Sequence, residues 1–189
     1  MRVPSLVLLT DRTQLPPGRD LVETVRACAA AGLRQVVVRE HDLDPAVRRR
    51  LVADLVADGE LTVLSSRVPV EDAHGLHLAA DQERPGAGWF GRSCHDLAQL
   101  RRSADEGAGY ATLSPFAASA SKPGYGPPVP RSDYAADLGV PVLALGGVDV
   151  GNAASAREAG AHGVAVMGCV MRAADPAAVV RRLLREVDR

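Results

Sequence analysis

Val140-Pro141-Val142-Leu143-Ala144-Leu145-Gly146-Gly147-Val148 is followed, one helical stretch later, by Gly163-Val164-Ala165-Val166-Met167-Gly168-Cys169-Val170. Each is an apolar run ending in glycine, where backbone N–H groups can approach a bound group without interference from a Cβ. Runs this short and this uniformly apolar read as strands covered on both faces, as in a parallel sheet. In a (β/α)8 barrel the loops after strands 7 and 8 form the usual phosphate-binding site. Two such strands near the C-terminus therefore predict a barrel and a phosphorylated small-molecule ligand, with Gly146, Gly147 and Gly168 around the phosphate.

Six further strand-like runs precede this pair: Leu6–Thr10, Gln35–Arg39, Leu61–Ser65, Gly75–Ala79, Trp89–Ser93 and Tyr110–Ser114. With Val140–Leu145 and Val164–Gly168 they make eight. Helical patterns fall between them over Asp20–Ala31, from Asp44 onward, over Asp96–Glu106 and Gly151–Ala159, with Pro176–Val187 last. Gly32 reads as a helix C-cap, and Asp44-Pro45 as an N-cap followed by proline at the first helical position. Only a stub, Val68–Ala73, fills the third crossover, and Ala80–Gly88 is too rich in glycine and proline for a helix. The fold class expected is a compact (β/α)8 TIM barrel with degenerate third and fourth crossovers, one domain over residues 1–189. An open Rossmann-like sheet is the alternative, but no G-x-G-x-x-G follows the first strand. The longest irregular stretch, Ser114–Ser132, reads as an active-site lid.

Composition narrows the function classes. The 189 residues carry 22 Lys+Arg against 23 Asp+Glu, a net charge of −1, which gives no electrostatic footprint for nucleic acid. Arg48-Arg49-Arg50 and Arg181-Arg182 lie in helical patterns and read as solvated faces. The N-terminal apolar run is too short for a signal peptide or a membrane span, so no membrane association is expected. Cys28, Cys94 and Cys169 have no metal-type spacing, which fits a reduced, cytoplasmic protein. Cys94 and Cys169 fall near the site loops and read as small core filler rather than reactive thiols.

Because barrel sites gather at the C-terminal ends of strands, those ends supply the candidates. They are Thr10, Asp11 and Arg12; Arg39, Glu40 and His41; Ser65, Ser66 and Arg67; His77 and Asp81; Ser93 and His95; and Ser114, Ser119, Ser121 and Lys122. Lys122 with Ser119 and Ser121 offers a cation and two hydroxyls to an anionic substrate, although the same composition suits an ordinary loop.

The opening strand and six further fragments in register resemble the thiamine-phosphate synthase and TenI superfamily over nearly the whole chain. They are Leu8–Arg12 with Val38-Arg39-Glu40, Gly75–Leu78, Gly91–His95, Leu113–Gly124, Leu145–Val148 and Gly163–Gly168. The resemblance implies a barrel that binds a thiazole phosphate. In the synthases it also implies an aminopyrimidine diphosphate bound with Mg²⁺, whose pyrophosphate is displaced. It assigns Arg39 to diphosphate, Lys122 with Ser119 and Ser121 to the substrate-gripping loop, Ser93 to the pyrimidine and Gly147 to the phosphate. Gly168 stands where synthases often have serine.

Departures from the synthase pattern cluster on one half of the site. Ser65-Ser66 replaces an Asn-Asp pair whose Asp is a magnesium ligand. Gln82 stands at the second magnesium carboxylate, with Asp81 one residue early. Val37 replaces a pyrimidine-binding glutamine, and His41 replaces a lysine. Mg²⁺ normally needs one or two carboxylates beside substrate phosphates. No metal site is therefore expected and no cofactor is firmly implied, with Mg²⁺ entering only under the synthase alternative.

The TenI branch, which includes thiazole tautomerases, shares these losses, although the histidine some tautomerases carry after strand 6 is Ser114 here. His41 is then the candidate proton carrier, set against the plainer reading of a surface histidine beside Asp42. Ser114, through a hydroxyl–water pair, and Lys122 complete the catalytic candidates. His95 reads as orienting, and His77 as packing the barrel mouth. Three functions stay open: a TenI-like enzyme moving a proton on a thiazole phosphate; a thiamine-phosphate synthase whose Mg²⁺ is held by Asp81, Glu83 or Asp11; and a non-catalytic phosphate-ligand binding or regulatory protein. The ligand in each is a phosphorylated small molecule, thiazole phosphate or thiamine phosphate. Family members often self-associate, so a homo-oligomer is also open.

Overall fold

The computed structural model describes residues 2–118 and 126–188. Eight strands run in order: β1 (Leu6–Leu9), β2 (Gln35–Val38), β3 (Thr62–Ser66), β4 (Gly75–Leu78), β5 (Phe90–Cys94), β6 (Tyr110–Leu113), β7 (Val142–Ala144) and β8 (Gly163–Val166). Each pairs in parallel with the next, and β8 returns to β1 through Leu6 opposite Val164 and Val7 opposite Ala165. The sheet is thus a closed barrel, as the eight apolar runs predicted.

Among the described residues six α-helices accompany it: α1 (Leu21–Ala30), α2 (Pro45–Val56), α3 (Leu97–Asp105), α4 (Ala153–Glu158), α5 (Gly168–Met171) and α6 (Pro176–Val187). Aspartates start four of them. Asp20, Asp44, Asp96 and Asp175 each accept from a backbone N–H of the first turn, at 2.7–2.9 Å. Proline follows the cap in α2 and α6, where its missing N–H costs nothing.

Strand residues alternate between two cores. Val7, Leu9, Val37, Leu64, Tyr110, Leu143 and Ala165 point inward and fill the barrel. Leu6, Leu8, Val36, Val38, Val63 and Val164 point outward against Val25, Leu55, Val180 and Leu183 of the helices. Burial on both faces explains why the strands read as unbroken apolar runs.

The third and fourth crossovers carry no helix, and the stub expected over Val68–Ala73 is a series of turns. The sixth crossover has only a 3-10 turn, Arg131–Ala135, among its described residues. Two other expectations need correction. Strand 8 stops at Val166, because Gly168 opens the short helix α5 instead of ending the strand. Arg48 is not on a solvated face: it is 6 % exposed, on the α2 stripe shared with Val52 and Leu55, whereas Arg49 and Arg50 are exposed. The spacing i, i+4, i+7 is the core-facing period of a helix, and charge alone obscured it.

Candidate functional site

A cavity of about 980 Å³ opens at the C-terminal ends of the strands. Its lining includes the predicted Arg39, His41, Ser93 and Ser114, the strand-end candidates Ser66, Arg67, His77 and His95, and also Gly146, Gly147 and Gly168. Ser119, Ser121 and Lys122 lie outside the described residues.

One pole is built by β7, β8 and the start of the sixth crossover. Gly147 has φ +68°, and a Cβ there would run into the carbonyls of Ala117 and Ala118, so only glycine fits. The Gly146 carbonyl accepts from Ala117 N at 2.9 Å, and that of Gly147 from Asn152 Nδ2 at 2.8 Å. With both carbonyls taken, the loop is fixed against the wall of the cavity. Across it, the Arg172 guanidinium lies over Gly168, at the position a Cβ of that glycine would need. Ser114 sits beside Gly146, and its Oγ is 3.1 Å from His95 Nδ1. His95 itself lies on the loop that also supplies the α3 cap.

The rim after β2 and β3 is cationic. Arg39 follows β2; its backbone N–H donates to Thr10 Oγ1 at 3.0 Å and its guanidinium lies 2.7 Å from Met167 Sδ. Arg67 follows β3 with φ +66°, a conformation uncommon outside glycine. Its backbone is clamped, with N–H donating to His77 O at 2.9 Å and O accepting from Gln82 Nε2 at 2.6 Å. His41 stands at the exposed edge of this rim. Partial burial lowers its pKa below 6.5, and Arg67, Arg48 and Arg39 push in the same direction. Glu40, the nearest carboxylate in sequence, is 3 % exposed and turned to Arg12 at 3.0 Å, while Asp42 takes the other side of that guanidinium. Arg39 thus keeps its charge for the cavity.

A buried relay reaches the cavity. His77 Nδ1 is 2.7 Å from Tyr110 Oη and its Nε2 is 2.9 Å from Ser93 Oγ, at the cavity wall. Complete burial, with Arg39 and Arg92 nearby, lowers the His77 pKa to about 3, so the ring is neutral at pH 7. A neutral imidazole between two hydroxyls fixes the Ser93 hydroxyl without adding charge. Desolvation raises Cys94 to about 12 and Cys169 to about 11, so both are thiols at neutral pH, as filler residues should be.

The residues where the synthase resemblance requires a metal do not fit Mg²⁺. Ser65 Oγ donates to Val68 O at 2.7 Å and accepts from Arg48, whose guanidinium also reaches the Ser66 carbonyl. Gln82 is used up between Ala79 N and Arg67 O. Asp11 accepts from Thr13 and Gln14, and Asp81 and Glu83 are exposed outside the cavity lining. Among the described residues no cluster of three metal-ligating side chains exists. A hard dication needs oxygen ligands and anionic charge, and this rim presents arginines instead.

The comparisons with known proteins agree with this barrel. The family model described as thiamine monophosphate synthase, TMP-TENI, matches residues 6–170. This chain belongs to that family. A thiamine-phosphate synthase of Roseiflexus castenholzii is 33 % identical over 93 % of the chain and 85 % of its own length. One from Halorhodospira halophila is 33 % identical over 92 % of the chain and 91 % of its own. Among solved structures, a thiamine phosphate pyrophosphorylase of Pyrococcus furiosus superposes with a TM-score of 0.82 at 20 % identity, covering 97 % of this chain and 95 % of that one. At that identity the likeness speaks for the fold.

Sequence reasoning named Arg67 among the strand-end candidates but missed a second cavity cation, Arg172. Arg172 lies four residues beyond Gly168, and one turn of helix carries it back over that glycine. The signal was the i, i+4 spacing, hidden because α5 read as the tail of a strand.

Proposed function

We propose that this chain serves thiamine biosynthesis in the cytoplasm as a TenI-like protein, binding a thiazole phosphate in the barrel mouth and moving a proton on its ring without a divalent metal. The observation that supports the reading is the rim after β3 and β4, where Ser66 and the hydrogen-bond-committed Gln82 stand in place of carboxylates and the neighbouring cavity residue is Arg67. The phosphate sits at Gly146, Gly147 and Gly168. Arg39 and Ser93 face the other end of the ligand, with Ser119, Ser121 and Lys122 as further binding candidates from the sequence. His41 is the proposed proton carrier: with a pKa below 6.5 it is a neutral base at pH 7. Ser114, held against His95, is the second candidate carrier.

Deuterium incorporation at a thiazole ring carbon, followed by NMR in D2O with EDTA present, tests this. The wild type is expected to exchange with an acidic limb below pH 6.5. His41→Gln is expected to lose about 10²-fold or more. Exchange unaffected in His41→Gln and lost in Ser114→Ala reassigns the carrier. Ligand binding with no exchange in any condition makes the protein a non-catalytic binder.

The names of the relatives favour a second reading, a thiamine-phosphate synthase. It requires pyrophosphate release from an aminopyrimidine diphosphate that stops when Mg²⁺ is chelated, and that is abolished in Asp81→Asn. Metal-independent exchange together with no pyrophosphate release rejects it.

A further inference from the structure

We infer that Arg172 is a phosphate-binding residue of this chain and that Gly168 is the glycine that makes room for it; this rests on the phosphate reading of the β7–β8 pole given above. The Arg172 guanidinium occupies the space that any side chain at residue 168 would need, so the two positions form one device. Arg172 lines the same cavity as Gly146 and Gly147. No carboxylate neutralises it among the described residues, where its side-chain partner is the amide oxygen of Gln14. Gln14 is itself held by Asp11 Oδ2 at 2.6 Å, which ties the guanidinium to the loop after β1 and fixes its direction. The one acid on this side of the lining, Asp149, accepts from Gly151 N at 2.7 Å within its own turn. A planar guanidinium with an amide on one edge and the cavity on the other matches a phosphomonoester, to which it can present paired donors. Backbone donors alone bind a phosphate with no net charge; Arg172 adds the charge.

Calorimetric titration with thiamine phosphate and with thiamine, both in EDTA, separates this contact from general binding. The wild type is expected to prefer the phosphate ester. Arg172→Gln is expected to reduce that preference about tenfold or more, a charged hydrogen bond's share, while thiamine affinity stays the same. Gly168→Ser, which displaces the guanidinium and adds a hydroxyl, is expected to lose preference in the same direction. If Arg172→Gln keeps the wild-type preference, or weakens both ligands equally, Arg172 is a brace and the inference is overturned while the phosphate pole stands. If the wild type shows no preference for the ester, the phosphate reading falls and this inference with it.

Discussion

His77 is a histidine the folded barrel will not let protonate. It is buried between Tyr110 and Ser93, and its pKa falls from 6.5 to about 3. The sign of the consequence follows from proton counting. Between pH 6.5 and 3 the unfolded chain binds a proton at this residue and the folded chain does not, so acid favours unfolding. Stability is expected to hold above pH 6.5 and to fall toward pH 3, at up to 1.36 kcal/mol per pH unit from this group alone. His77→Asn should be less stable at pH 7, by about 1–3 kcal/mol for the disturbed hydrogen bonds. Its urea-derived stability should also lose less than the wild type's between pH 6.5 and pH 4. Equal losses in the two proteins would show that carboxylates elsewhere set the acid limb. The mouth residues were legible because barrel chemistry sits at strand C-termini, so Arg39, His41, Ser93 and Ser114 could be named from position alone. Arg48 and Arg172 were not, because each depends on which way a helix turns its face.

At the scale of elements, buried arginines do the work that missing helices leave undone. The fourth crossover has no helix to cover β4 and β5. Instead Arg92, 1 % exposed, holds three carbonyls of that loop, those of Ala79, Ala80 and Gln82, at 2.7–3.2 Å and pairs with Glu106 at the end of α3. The third crossover is tied in the same way by Arg48, through Ser65 and the Ser66 carbonyl. Arg92→Met is therefore expected to cost about 1–3 kcal/mol, since it leaves three loop carbonyls without their donor while Glu106 keeps Arg102. Arg102→Ala breaks an exposed i,i+4 pair with the same Glu106 and should cost only about 0.3–0.5 kcal/mol. Denaturant titration of both variants checks the contrast, and similar costs would rule out the staple. The short crossovers were legible as absences of helical pattern. What replaced them was not, because an arginine's partner here is backbone far away in sequence and leaves no local trace.

The whole molecule depends on one seam. Eight parallel strands close only because β8 meets β1, and Val164 N donates to Ser5 O at 2.8 Å where they begin to touch. Gly163 allows that approach: a Cβ there would collide with the Ser5 backbone carbonyl, which cannot swing aside as a side chain would. The same strand leads into Gly168 and Arg172, so closure of the barrel and shape of the phosphate pole are one property. Eight runs in sequence imply closure, but only the register between the first and last strand shows which glycine permits it. Gly163→Ala is expected to destabilise by about 1–3 kcal/mol through overpacking. Leu183→Ala, in the α6 face packed on the outer core, is expected to cost about 2–5 kcal/mol by leaving a cavity. The two differ in what they do to the ligand. Under conditions where both remain folded, Gly163→Ala should weaken thiamine phosphate binding, because β8 must shift away from β1 and carries the pole with it. Leu183→Ala should bind like the wild type, since α6 presses on the back of the sheet and not on its mouth. Calorimetry beside urea denaturation reads both quantities on each variant. Equal weakening of binding by the two would mean that the pole follows global stability and not the seam.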